Sequence, residues 1–411
     1  MTSQTGASNT SATTQTLGTM NTGVVAQQGQ LNSSTVAQTG GAANTAWVRQ
    51  SGVSNAATAV QNGGVGNLID IRQAGLGNNA ATLQEGGESN HIDLDQDGDN
   101  NLTIATQTNG ADNNADIDQD GVGNAAVIVQ DGGVRNAIEV DQNGAANEAW
   151  VTQVGGERNE ARVDQDGDGN ISYVDQVGGL RNDVGIDQMG EGNYIDAYQE
   201  DGYRNSTDID QDGDYNYAGT DQIGGEYNSI EVRQDGALNT AYARQEGGAR
   251  NSAYIDQAGN SNLGLVLQSG LDNNASINQV GDLNSADAIQ MGNANSSDIN
   301  QSGVGNVAGT MQVGNLNSVV TNQSGSGNYA GTAQAGTSNS AVIDQSGMGN
   351  GALTYQTGVG NSASVTQTGV LGTSATMQMG AGNISTVTQG GMMNSAAVMQ
   401  NGTGNVSTIN Q

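Results

Sequence analysis

The sequence predicts an all-β chain: a β-solenoid of about 18 two-strand coils, 22–23 residues each, with two facing parallel sheets. Three observations predict it. Gln recurs at 4, 15, 27, 38, 50, 61, 73 and onward to 411, in steps of 11 or 12. A period of two governs the residues between successive bends, and Gly marks the bends. Pro, Cys and Phe are absent while Gly makes up 64 of 411 residues, which fits no ordinary multidomain enzyme.

The repeat unit runs from Gln to Gly to Asn, as in Gln142-Asn-Gly144-Ala-Ala-Asn147, or with a doubled Gly, as in Gln130-Asp-Gly132-Gly133-Val-Arg-Asn136. The doubled Gly accounts for nearly every 12-residue step. Five residues then lead to the next Gln, the second and fourth small or β-branched: Ile138 and Val140, Ala149 and Val151, Ala253 and Ile255. Such alternation indicates a strand with one buried face carrying Asn, two apolar residues and Gln inward.

Inward amides are tolerated only when hydrogen-bonded. At equal heights in successive coils they can form ladders along the axis. The expected ladder comprises Gln50, Asn55, Gln73, Asn78, Gln96, Asn101, Gln119, Asn124, Gln142, Asn147, Gln165, Asn170, Gln188 and Asn193. Gly98, Gly121, Gly144, Gly167 and Gly190 are the bend glycines, with angles that a Cβ disfavours. A one-residue slip would turn every amide outward, so the ladder also fixes register.

Residues 1–411 are expected to form a single continuous solenoid. Half-repeats alternate between 11 and 12 residues over 4–257, acidic from 49, and are uniformly 11 residues over 258–411, where charge almost vanishes. The net charge of -32 argues against nucleic acid and anionic membranes as partners. No run reaches the roughly eighteen apolar residues of a membrane span, so no membrane insertion is expected. The N-terminus shows no signal-peptide pattern. One His, His91, and no Cys exclude His-based triads, Cys nucleophiles and thiolate metal sites. No enzyme is expected.

The coil Asn136-x5-Gln142-x-Gly144-x-x-Asn147-x-Ala149-x3-Gln153 resembles the repeat of curlin, the major subunit of bacterial curli fibres, with the pattern Ser-x5-Gln-x-Gly-x-x-Asn-x-Ala-x3-Gln. The similarity extends over essentially residues 4 to 411, as a long many-repeat homologue in which Asn usually replaces Ser. It implies a secreted, extracellular functional amyloid of a biofilm matrix, a cell-surface fibre exported through an outer-membrane pore and aided by a nucleator.

Two unlike outer faces are expected. One carries a column of Asp95, Asp118, Asp141, Asp164, Asp187 and Asp210, beside Asp93, Asp116, Glu139 and Arg162. Stacked like charges repel by about 1 kcal/mol even in a water-like dielectric. Solvent, salt, Arg and partial protonation are the ordinary relief. No cofactor is expected, but Asp95, Asp97, Asp118, Asp120, Asp164, Asp166, Asp168, Asp210 and Asp212 are candidate ligands for calcium, which favours oxygen clusters. The window from Asp164 to Asp175 also resembles the calcium loop of EF-hands, although its spacing follows from the repeat and no helices flank it. The other face carries Leu102, Ile104, Val127, Trp150, Tyr173, Tyr194, Tyr198, Tyr217, Tyr242 and Leu265, a stripe suited to lateral fibre contacts or surface adhesion.

The leading reading is a structural subunit that polymerises end to end by strand-edge stacking, since the repeat reaches Gln4 and Gln411 without caps. The alternative is a calcium-binding or surface-adhesive β-solenoid module.

Overall fold

The computed structural model describes residues 1–411. It holds 37 strands, from β1 (Thr2–Ala7) to β37 (Val406–Asn410), and no helix. The fold is the expected one: an all-β solenoid whose successive strands alternate between two parallel sheets. Two compact units divide the chain, Met1–Thr207 and Asp208–Gln411.

In Met1–Thr207 each odd-numbered strand pairs in parallel with the next odd-numbered one, from β1 to β17 (Asp183–Glu191). The even-numbered strands do the same from β2 (Thr10–Thr16) to β18 (Tyr194–Glu200). Register is kept residue for residue, with Gln119 over Gln142 over Gln165 in one sheet and Gln107 over Gln130 over Gln153 in the other. The alternation in β13 (Ala137–Ala145) shows why: Ile138, Val140 and Gln142 are buried, while Glu139 and Asp141 point out. Ile69, Ile71, Ile92, Leu94, Ile117, Ile128, Ile138 and Ile195 fill the space between the sheets.

Asp208–Gln411 follows the same rule, with the coil shortening from 23 to 22 residues: Gln234 pairs with Gln257, and Gln257 with Gln279. Between Glu246 and Ala249, at the last doubled Gly before the change, the ladder of β22 (Thr240–Ala249) shifts register. That bulge absorbs the extra residue. Beyond it Ile255, Ile277, Ile299 and Ile343 still fill inner positions, but Ala and Val are commoner there, and Thr310, Thr332, Thr354 and Thr376 are buried among them.

The bends rest on backbone that only Gly can supply. Gly121 has φ 119, and a Cβ there would lie 2.0 Å from the carbonyl oxygen of Gly144 one coil on. In a doubled bend the second Gly is the crowded one. A Cβ on Gly133 would meet Asn136 Nδ2 at 2.2 Å and Gly155 O at 2.4 Å. The residue before each inward Asn is also left-handed, even where it is not Gly, as at Arg135 (φ 59) and Ala146 (φ 56).

Candidate functional site

The inner amides are the most regular feature of the chain. Gln142 Nε2 donates to Gln165 Oε1 at 2.8 Å and to Ala125 O of the opposite sheet at 3.1 Å. Its Oε1 accepts from Gln119 Nε2 at 2.8 Å. Both amide hydrogens and the carbonyl are therefore engaged, and one side chain joins neighbouring coils and the two sheets. Gln50, Gln73, Gln96, Gln119 and Gln165 make the same pair of contacts, and Gln188 reaches across to Ile171 O. The tie across the sheets was not legible from spacing alone, which shows stacking but not reach.

The Asn residues behave differently from the expectation of a continuous side-chain ladder. Asn147 Nδ2 donates to Asn143 O and to Gly167 O, both at 2.9 Å. An amide has two hydrogens. Both are taken by bend carbonyls here, and no bond to a neighbouring Asn side chain is formed. The carbonyl instead stacks the coils by accepting a backbone N–H, as Asn124 Oδ1 does from Asn147 N at 3.0 Å. Asn55, Asn78, Asn101, Asn124 and Asn170 are clamped in the same way, and Asn193 Nδ2 donates to Met189 O. From Asn251 onward a true Asn ladder is added, for example Asn328 Nδ2 to Asn306 Oδ1 at 3.0 Å. The bend glycines Gly98, Gly121, Gly144, Gly167 and Gly190 all have φ between 107 and 119.

Outside this frame, the odd-numbered strands of Met1–Thr207 carry the acidic ribbon. Asp95, Asp118, Asp141 and Asp164 lie side by side in register, with Asp93, Asp116 and Glu139 in the neighbouring column. Partial burial, and then the charges of Asp141 and Asp95, push the Asp118 carboxyl up to about 6. Burial also raises Asp95, Asp116, Asp141 and Asp164 above the usual carboxylate range. Arginines bracket the ribbon. Asp70, only 5% exposed, is held by Arg49 at 3.0 Å and Arg72 at 2.8 Å, and Arg162 lies 3.7 Å from Asp164. Asp70 escaped the sequence reading because its burial depends on both Arg side chains folding over it.

Of the candidate calcium ligands, Asp95, Asp97, Asp118, Asp120, Asp164 and Asp166 all point outward from their strands. Asp168 Oδ1 accepts the backbone N–H of Ala145 at 3.1 Å, a bend contact. Asp210 and Asp212 flank the buried Gln211 in Asp208–Gln411, with Asp210 raised by burial. No three acidic or His side chains converge as a metal site requires. The EF-hand-like window lies on two strands and the bend between them, with Gln165 and Asn170 buried. His91 stands outward at the start of β9 (His91–Asp99).

The even-numbered strands of Met1–Thr207 present the aromatic stripe. Trp150 stacks on Tyr173 with centroids 6.1 Å apart, and Tyr173 lies 5.7 Å from Tyr194. Leu102, Ile104 and Trp150 are exposed. No helix is long and apolar enough to cross a membrane.

The curlin associated repeat family matches this chain over residues 87–121, 156–190, 202–236, 248–281 and 336–369. No curated protein matches it.

Proposed function

We propose that this curlin-like chain, which matches the curlin associated repeat over five segments, is a structural, self-assembling subunit of an extracellular amyloid-like fibre, of the kind found in biofilm matrices, that polymerises by stacking coil on coil. The observation that carries the reading is the repetition of one interface. Every coil offers its neighbour the same row of backbone groups, the same Gln amide and the same bend Gly, so the edge of any coil is complementary to that of any other. Such a surface is a template rather than a cleft. The role is structural and not catalytic: the outer faces are flat strand surfaces, and the residues repeated most strictly are the inner amides and bend glycines, which do no chemistry. Secretion through an outer-membrane pore and a nucleating partner belong to the same reading.

Incubating the full chain tests it. Filaments whose growth depends on concentration, which bind thioflavin and give an axial reflection near 4.8 Å, are expected. A chain that remains monomeric at high concentration over weeks overturns the reading.

A further inference from the structure

Within Asp208–Gln411, six even-numbered strands stack in register: β26 (Ser285–Asn293), β28 (Val307–Asn315), β30 (Tyr329–Thr337), β32 (Gly351–Val359), β34 (Thr373–Ala381) and β36 (Ser395–Thr403). Their outward face carries one charge, Asp287. A shallow trough of about 680 Å³ runs along it, edged by Met311, Tyr329, Leu353, Tyr355 and Met377. Large apolar side chains lie exposed here, where a chain of net charge -32 could have placed carboxylates.

Size alternates along this face in a self-complementary way. Outward from β30 stand Tyr329, Gly331 and Ala333, large then small then small. In the same three columns β32 presents Gly351, Leu353 and Tyr355. We propose that this face pairs with the same face of a second copy, the coils running antiparallel, about a twofold axis along the strands between β30 and β32. That rotation keeps each column and exchanges the two strands. Tyr329 then lies over Gly351 of the partner subunit, Leu353 over the partner's Gly331, and Tyr355 over the partner's Ala333. Met311 meets the partner's Met377.

The open positions are where the large groups need them. Nothing lies within 4 Å of the place a Cβ would occupy on Gly351. Gly331 is partly covered by Leu353 of its own chain, whose Cδ2 would approach a Cβ there to 2.8 Å, so pairing exchanges this contact for the equivalent one across the axis. The face is also large enough. Six strands about 4.8 Å apart and about 30 Å long present roughly 850 Å², close to the roughly 800 Å² per partner of a stable interface. Charge selects the occupant: two copies of a neutral face meet without the repulsion that the acidic ribbon would impose, and a charged polymer finds no counter-charge. An isologous contact of this kind closes on itself and joins filaments in pairs. It does not depend on the end-to-end stacking proposed above.

The absence of Cys allows a direct test on the full chain. Chains carrying Ala333→Cys are mixed with chains carrying Tyr355→Cys and treated with a short bis-maleimide that spans sheets about 10 Å apart. A dimer-sized product joining position 333 of one chain to position 355 of the other, identified by peptide mapping, is expected at a yield at least fivefold above a product joining 333 to 329 from Ala333→Cys mixed with Tyr329→Cys. A 333-to-329 product of equal or greater yield would indicate parallel pairing and overturn the proposal. The lack of any dimer-sized product would overturn it as well. Adding Gly351→Glu to both chains should abolish the product while leaving the far-ultraviolet circular dichroism unchanged, since the position is open. Undiminished cross-linking in that background overturns the proposal.

Discussion

Met1–Thr207 and the stretch of Asp208–Gln411 beyond residue 277 divide their large apolar residues differently between interior and surface. In the first, Ile and Leu fill the interior, as at Ile69, Ile71, Ile92 and Leu94, and an outer face is crowded with carboxylates. In the second, Ala, Val, Thr and Ser take most of the inner positions, with fully buried Ile only at 299 and 343, and Leu353, Tyr355, Met377 and Met399 stand outside. Of the fully buried Ile and Leu side chains only Ile299 and Ile343 lie beyond Ile277, and the buried hydroxyls of Thr332, Thr354, Ser374, Thr376 and Ser385 there have no hydrogen-bond partner. What the two regions share is the Gln ladder and the stacked bend Gly. The frame is therefore set by amides and glycines, and apolar surface is free to serve either the interior or contact with another copy.

If the frame is what the regions share, damage to it should outweigh damage elsewhere. Gly121→Ala combines φ 119 with a Cβ placed 2.0 Å from Gly144 O. A loss of more than about 3 kcal/mol is expected, confined to nearby coils by nearest-neighbour energetics. Gly123→Ala is the control, with φ 71 and nothing within 4 Å, and should cost about 1 kcal/mol. Denaturant titration and hydrogen exchange of the flanking strands would measure both. Equal effects would show that stacking at Gly121 does not constrain the bend.

Gln142→Leu should rank next. It removes two donated bonds and one accepted bond, leaving Gln119 Nε2, Gln165 Oε1 and Ala125 O each short of a partner. A cost of about 1–3 kcal/mol is expected. Asn147→Ala should cost less at the ladder and more at the bend, because its amide clamps Asn143 O and Gly167 O. Hydrogen exchange that opened the bend after Gln142→Leu, and the strands after Asn147→Ala, would reverse these roles.

These assignments mark what the sequence could and could not reveal. Gln142 and Gln165 declared themselves because period and residue type coincide at every coil. Asn147 declared its burial but not its partners, since either bend carbonyls or the next Asn could take its hydrogens. The left-handed residue before each Asn left only a partial signature: Gly stands there at 66, 77, 123, 169 and 192, but Arg and Ala stand there at 135 and 146. Arg135 and Ala146 differ in every respect except φ, because the side chain points to solvent and its strain of about 1–2 kcal/mol is offset by the bend it closes. The acidic ribbon was legible as a column with Arg162 beside it, whereas the closure of Arg49 and Arg72 over Asp70 required side-chain positions.

The ribbon itself distinguishes the regions by pH. The Asp118 carboxyl is near 6 in the folded chain against 3.8 when exposed, so between these values the folded chain holds a proton that the unfolded chain has released. Stability should therefore fall as pH rises from about 4 to about 6 and level off above it. After discounting for solvent screening, Asp118 accounts for about 1 kcal/mol, and Asp95, Asp116, Asp141 and Asp164 act in the same direction. Strands of Met1–Thr207 should gain hydrogen-exchange protection on acidification from pH 7 to pH 4.5. Strands after residue 300, whose one acid is Asp344, should change little once intrinsic exchange rates are corrected. Asp118→Asn should flatten the response around β11 (Asn114–Val122). A response of equal size in both regions would detach it from the ribbon.

The smallest effect concerns the interior of the second region. Thr354 is buried in β32, and its hydroxyl has no partner in either sheet. A buried hydroxyl without a hydrogen bond keeps its desolvation cost and returns nothing. Val has nearly the same shape and is β-branched as well, so Thr354→Val removes the polar atom without leaving a cavity or forcing a new rotamer. A gain of about 1 kcal/mol is expected, read as slower local hydrogen exchange and a higher denaturant midpoint. The matching change in the first region has a different sign. Thr103 Oγ1 donates to Gln119 Oε1 at 2.8 Å and accepts from Gln96 Nε2 at 3.0 Å, so Thr103→Val should destabilise. If both substitutions move stability the same way, inner hydroxyls act through something other than their hydrogen bonds, and the contrast between the two interiors loses its physical basis.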